Sequence, residues 1–159
     1  MKGSDHTQRF QYIPGKFANI HSFANTRLCI DSSGGRNTKD NKIIVWSCHR
    51  GGNQQWSIVA PSKRFSAKAS GIKQNTKFQI VTKLAGNKVL FYNEHIGGGQ
   101  YRLRIRAPKG DRREWWIYDF GTRSIRLAAD KKFAISNQSG VGLSKGKALV
   151  MRKYTESAQ

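Results

Sequence analysis

The run LCIDSSGGRNTKDNKIIVWSCHRGGNQQWSI, residues 28–58, is the most legible passage of the 159-residue chain. It opens on a short apolar segment that ends in a carboxylate, Leu28-Cys29-Ile30-Asp31. Polar, Gly-rich residues 32–41 follow, then a β-prone run, Ile43-Ile44-Val45-Trp46, which leads into Cys48. A Gly51-Gly52 turn precedes Asn53-Gln54-Gln55-Trp56. Branched and aromatic side chains pack well on a pleated surface, and the Gly, Asn, Asp and Ser clusters between them accept turn geometry. The passage predicts short strands joined by tight turns.

The pattern recurs along the chain. Residues 17–32, FANIHSFANTRLCIDS, align without a gap to residues 78–93, FQIVTKLAGNKVLFYN. A third copy, residues 123–137, RSIRLAADKKFAISN, puts Ile20 over Ile125, Leu28 over Phe133 and Ile30 over Ile135. The same offset carries residues 42–46 onto residues 147–151. Gln54-Gln55-Trp56-Ser57-Ile58 compares with Arg113-Glu114-Trp115-Trp116-Ile117, and the strand missing after the last copy is supplied by residues 8–13, around Phe10. Short strands, frequent Gly turns and no helical periodicity argue for an all-β barrel or sandwich, and the threefold repeat selects a β-trefoil of three four-stranded units.

We therefore expect one domain over residues 1–159. Its units span residues 14–59, 75–118 and 119–154, closed by the strand at 8–13, with Trp56, Trp115 and Phe10 in the shared core. Residues 60–77 interrupt the symmetry with an insertion that holds five cations and no acid. Such insertions lie on the surface and often carry function.

Residues 28–58 also resemble one subdomain of the ricin B-chain lectins, a β-trefoil family. Cys-Ile-Asp, an apolar run with Trp ahead of a second Cys, and then Asn-Gln-x-Trp occur in order, with Gln54-Gln55-Trp56 as the Q-x-W triplet. The resemblance implies a disulfide between Cys29 and Cys48, and with it an oxidising, extracellular compartment. The cysteine count alone leaves two buried free thiols open. Residues 1–10 lack the apolar core of a signal peptide, so a cytosolic chain or one without its leader stays open as well.

A pyranose presents hydroxyls and one apolar C–H face. A site for it needs a fixed carboxylate or amide for the hydroxyls and an aromatic plane for that face. By resemblance, Asp31 accepts from two adjacent hydroxyls, Asn53 bonds a third, Trp46 is the platform and Gln54 supports Asp31. In that family the constellation selects galactose or N-acetylgalactosamine. The chain departs from it at Ile44, where a Gln is common, and losing that donor weakens the contact by about 1 kcal/mol. The alignment puts Tyr92 and Ser136 at the position of Asp31, and Ile105 and Met151 at that of Trp46, so we expect one working sugar site. One site gives low affinity, which an oligomer or a tethered partner would raise.

The chain carries 29 Lys+Arg against 9 Asp+Glu, a net charge of +20, and residues 61–159 hold 21 of the cations. Such a field attracts polyanions. The alternative reading is therefore a trefoil that binds sulfated glycan, heparin-like polymer or nucleic acid through its second and third units. Alternation in Tyr101-Arg102-Leu103-Arg104-Ile105-Arg106 places Arg102, Arg104 and Arg106 on one strand face, with Lys109, Arg112 and Arg113 in the next turn.

Enzyme readings find little support. Carboxylates are too scarce for a glycosidase pair, the four histidines lack metal-ligand spacing, no nucleophile motif occurs, and no cofactor or metal is implied. No apolar run approaches the length of a membrane span. Asn137-Gln138-Ser139 is a glycosylation sequon, meaningful only in a secreted chain.

Overall fold

A computed structural model describes residues 10–12, 17–22, 24–59, 76–138 and 143–155. The described residues form twelve strands: β1 (Phe10–Tyr12), β2 (Ile20–Ser22), β3 (Leu28–Ser32), β4 (Ile43–Ser47), β5 (Trp56–Val59), β6 (Gln79–Thr82), β7 (Val89–His95), β8 (Tyr101–Arg106), β9 (Trp116–Asp119), β10 (Ser124–Leu127), β11 (Phe133–Asn137) and β12 (Leu149–Lys153). They pair antiparallel, β1-β2-β3-β4 in one sheet and β5-β6-β7-β8-β12-β11-β10-β9 in the other. Backbone bridges Ala18–Trp56 and Ile44–Ala148 tie the two sheets together. The fold is a β-trefoil. No helix among the described residues is long and apolar enough to cross a membrane.

Alternation explains the core. In β4, Ile43 and Val45 are fully buried while Trp46 faces outward; in β8, Leu103 and Ile105 are fully buried while Arg102 is exposed. Three large aromatics occupy matching places at the starts of β1, β5 and β9: Phe10 opposite Ser22, Trp56 opposite Thr82, and Trp116 opposite Leu127. All three are fully buried. A buried indole must place its one donor, and both do so identically: Trp56 Nε1 donates to Ile30 O and Trp116 Nε1 to Leu90 O, each at 3.1 Å.

This repetition corrects the register read from sequence. The deep tryptophan of the second unit is Trp116, not Trp115, which sits beside the core at 8% exposure with Lys77 Nζ 5.1 Å from its ring. The bridges Ala18–Trp56 and Phe78–Trp116 put Phe78 over Ala18 rather than Phe17. Asp31 is therefore matched by Phe91 in the second unit, while Ser136 holds that place in the third. Trp46 lies opposite Cys29, Arg106 opposite Val89 and Arg152 opposite Ala134. The counterparts of the tryptophan are thus two arginines, not Ile105 and Met151, both of which lie in the core. A one-residue slip turns every side chain to the other face, so the two alignments differ in chemistry as well as in numbering.

Phe10 N donates to Arg123 O at 2.9 Å and Tyr118 Oη to Phe10 O at 2.7 Å, which joins β1 to the β9–β10 corner. Residues 8, 9 and 13 of the expected closing strand, and residues 60–75 of the insertion, lie outside the described residues.

Candidate functional site

β3, β4 and the turn that precedes β5 enclose a cavity of about 470 Å³. Asp31, Ile44, Trp46, His49 and Asn53 line it, together with Ser33, Gly34 and Gly35 at the rim. Gly34 and Gly35 turn the chain at φ +69° and +68°, a backbone that side-chain-bearing residues rarely adopt.

Asp31 is only 2% exposed, and both its oxygens are held. Asn53 Nδ2 donates to Oδ1 at 3.0 Å and Gln54 Nε2 to Oδ2 at 2.8 Å. Gln54 is itself immobilised. Its Nε2 donates to Ser47 O at 2.9 Å, and its Oε1 accepts from His49 N at 2.8 Å and from Asn19 Nδ2 at 3.3 Å. Burial pushes the Asp31 carboxyl above its ordinary 3.8, opposed by the bonds from Gln54 and Asn53 and by His49. A carboxylate fixed this way keeps lone pairs free to accept from hydroxyls.

Trp46 is 38% exposed, unusual for so large an apolar ring. Lys145 Nζ stands 4.3 Å from its ring centroid, outside the cavity lining. Backbone bonds from Gly146 N to Val45 O (2.8 Å) and from Val45 N to Lys147 O (3.0 Å) clamp that third-unit turn against β4. Gly146 turns the chain at φ +87°, a backbone that side-chain-bearing residues rarely adopt, and a Cβ there would make only an ordinary 3.5 Å contact with the Trp46 ring.

The structure thus brings Asp31, Trp46, Asn53 and Gln54 around one cavity, with Gln54 behind Asp31. Sequence reasoning missed His49. Its Nδ1 accepts from Gly51 N at 2.9 Å, which leaves the ring proton on Nε2, 3.7 Å from Asp31 Oδ2. The available signal was its place directly after Cys48. Cys29 and Cys48 form a disulfide, which ties the end of β4 and the start of the His49 turn to β3. His21 Nδ1 lies 3.3 and 3.4 Å from the two sulfurs. A disulfide sulfur carries no thiolate, so this trio offers a metal one ordinary ligand.

The second unit inverts the arrangement. Its aromatic, Phe91, takes the place of Asp31, and Arg106 takes the place of Trp46, with the guanidinium 4.2 Å over the Phe91 ring. Glu114 occupies the place of Gln54 and accepts from Arg106 Nη2 at 3.1 Å, while Asp111 accepts from it at 2.7 Å. Glu114 is fully buried and also takes Gln79 Nε2 and the backbone N–H groups of Lys109 and Gly110. In the third unit Arg152 Nε donates to Asn137 O at 3.0 Å, beside Ser136.

The expected arginine row is corrected accordingly. Arg106 is 4% exposed and belongs to a buried ion pair, because β8 ends against the Asp111–Glu114 turn. Arg104 is half-buried, and burial lowers its pKa ahead of repulsion from Arg102. Arg102 pairs with Glu94 at 2.8 Å. Lys109, Arg112 and Arg113 are exposed. The sequon acceptor Asn137 is 6% exposed and engaged with Ser136 and Arg152, so it does not present itself for glycosylation.

No family profile matches the chain, and no curated protein matches it in sequence. Solved structures share its fold. The designed threefold-symmetric protein ThreeFoil superposes with a TM-score of 0.69 at 14% identity, over 89% of this chain and 91% of its own. A mosquitocidal holotoxin gives 0.68 at 15% identity, over 87% of this chain but 16% of the toxin chain. The C-half of an earthworm R-type lectin, solved in complex with GalNAc, gives 0.61 at 15% identity, over 91% and 92%. At these identities the likeness shows the β-trefoil fold alone.

Proposed function

We propose that the protein is a carbohydrate-binding lectin, with one site for a terminal galactose or N-acetylgalactosamine in the cavity between β3 and β4. The observation that carries this reading is Asp31: a 2%-exposed carboxylate on a cavity wall, oriented by two amides and sharing the cavity with a part-exposed tryptophan. A buried acid held as an acceptor beside an aromatic plane suits a ligand with vicinal hydroxyls and an apolar face. Asp31 accepts from the hydroxyl pair, Asn53 bonds the next oxygen, and the C–H face lies on Trp46 with Ile44 beside it. The R-type lectin crystallised with GalNAc supports the choice of sugar by analogy of fold. The disulfide fits an oxidising, extracellular setting. The second and third units contribute no such site, because Phe91 and Ser136 replace the acid and arginines replace the platform.

The test is titration with methyl galactoside and N-acetylgalactosamine. Asp31→Ala removes two charge-assisted bonds and should weaken binding by at least about 1.5–3 kcal/mol, roughly ten- to hundredfold. Unchanged affinity in this variant would sink the assignment.

A further inference from the structure

A second cavity, of about 420 Å³, lies where the second unit meets the third. It is remote in chemistry from the first, with Tyr92, Tyr101 and Phe133 on its apolar side and Asn93, Arg112, Arg113 and Asp130 on its polar side. Its origin is legible from the preceding junction. Between the first and second units, Leu84 lies against Gly52, 3.6 Å from where a side chain there would start. Asn37 also donates to Ala85 O, and Lys88 Nζ bonds Asn37 Oδ1 at 3.1 Å. Counted from the paired strands, Leu84 is replaced by Ala129 at the next junction, Asn37 by Gly97, Ala85 by Asp130 and Lys88 by Phe133. The filling leucine is thus cut back to Ala129, which lines the cavity together with an added aromatic, Phe133, and an added carboxylate, Asp130.

We propose that this cavity binds an acidic sugar residue, a pyranose that carries one anionic group. Tyr101 makes T-shaped contacts with Tyr92 (5.5 Å, 70°) and Phe133 (6.0 Å, 78°) and a tilted one with His95 (5.1 Å, 57°), which holds this partly exposed ring in place on the cavity wall. Arg112 and Arg113 are exposed, and among the described residues no ion pair joins either to Asp130. Two guanidiniums and a carboxylate thus line one cavity unpaired with each other. A guanidinium fork matches the planar oxygens of a carboxylate or the face of a sulfate, and Asp130 with Asn93 accepts from hydroxyls. Carboxylate and sulfate share this chemistry, and the probes below separate them. The site does not depend on Asp31, so it stands or falls apart from the first cavity.

The experiment is calorimetric titration of the Asp31→Ala protein with methyl glucuronide, methyl galactoside 6-sulfate and neutral methyl galactoside. At least one acidic probe should bind tenfold or more tightly than the neutral one, and whichever does identifies the anion. The Arg112→Ala/Arg113→Ala double variant should lose that preference. Ala129→Leu, at an exposed position, restores the filling side chain of the preceding junction with every charge intact. It should weaken the acidic probe at least tenfold while the thermal midpoint holds. Equal binding of acidic and neutral probes, or full binding in Ala129→Leu, would overturn the proposal.

Discussion

Asp31 is the residue on which the first site turns, and its burial has a measurable consequence. Its folded pKa is raised above the unfolded 3.8, so the unfolded chain ionises first as pH rises. Stability supplied by the protonated group is complete below 3.8 and is lost as pH climbs through the folded value. The proposed sugar contact uses the ionised form and runs the other way. Affinity for galactose should fall on acidification with a midpoint above 3.8, and Asp31→Ala should abolish that pH dependence in a titration series. Gly51 offers a second test. A methyl group there would meet the His49 ring at 2.7 Å and Asn53 Oδ1 at 2.8 Å, both ends of side chains on the cavity. Gly51→Ala should displace both and cost about 1 kcal/mol of binding, roughly fivefold, with little change in melting temperature. Asp31, Trp46, Asn53 and Gln54 were readable in the sequence because they fall in one local run whose order and spacing carry the pattern. His49 was not, since its approach to Asp31 depends on how the turn after Cys48 folds back under Gln54.

At the scale of elements, the three units fill one equivalent place in three ways. The first uses the Cys29–Cys48 disulfide beside His21. The second puts Val81 and Val89 there, packed with Val59 into a small apolar cluster. The third has Ala134, with the Arg126 guanidinium stacked 3.7 Å over Tyr154. Cys48 N to Arg27 O and Tyr154 N to Lys132 O are the same backbone bond in two units. The disulfide closes a loop with a sequence separation of 19, and its reduction should cost about 3 kcal/mol in a denaturant titration. The loss should be accompanied by weaker sugar binding, because β3 and β4 line the cavity proposed to hold the sugar. In β8, Arg106→Ala leaves Glu114 buried without its cation and should destabilise the protein by about 3–5 kcal/mol; adding Glu114→Gln should recover part of this. Alternation read from sequence correctly set Arg102, Arg104 and Arg106 on one side of β8. It could not show that the last of them meets the acidic turn at Asp111 and Glu114. The slip that exchanged Trp115 for Trp116 has a similar cause. Two adjacent tryptophans satisfy the pattern equally, and only the bond to Leu90 O selects one.

For the whole molecule, the fold was legible because a trefoil repeats itself: three weak patterns in one chain reinforce one another where a single copy is ambiguous. What the repeat hides is divergence. The same position holds Asp31, Phe91 and Ser136, and a pseudosymmetric scaffold keeps its core while each unit changes its surface chemistry. The charge of +20 belongs to that surface. Part of it is already spent, since Arg102, Arg106 and Arg126 each face a carboxylate. Nonspecific attraction to polyanions falls steeply with salt, whereas a neutral sugar held by Asp31 and Trp46 releases no counterions. The most direct measurement is therefore a glycan array at low and high salt on the wild-type protein and on Asp31→Ala. The account predicts binding to galactose- or N-acetylgalactosamine-terminated glycans that persists at high salt and disappears in Asp31→Ala. Retention of only sulfated or phosphorylated ligands, removed by salt and indifferent to Asp31→Ala, would contradict it.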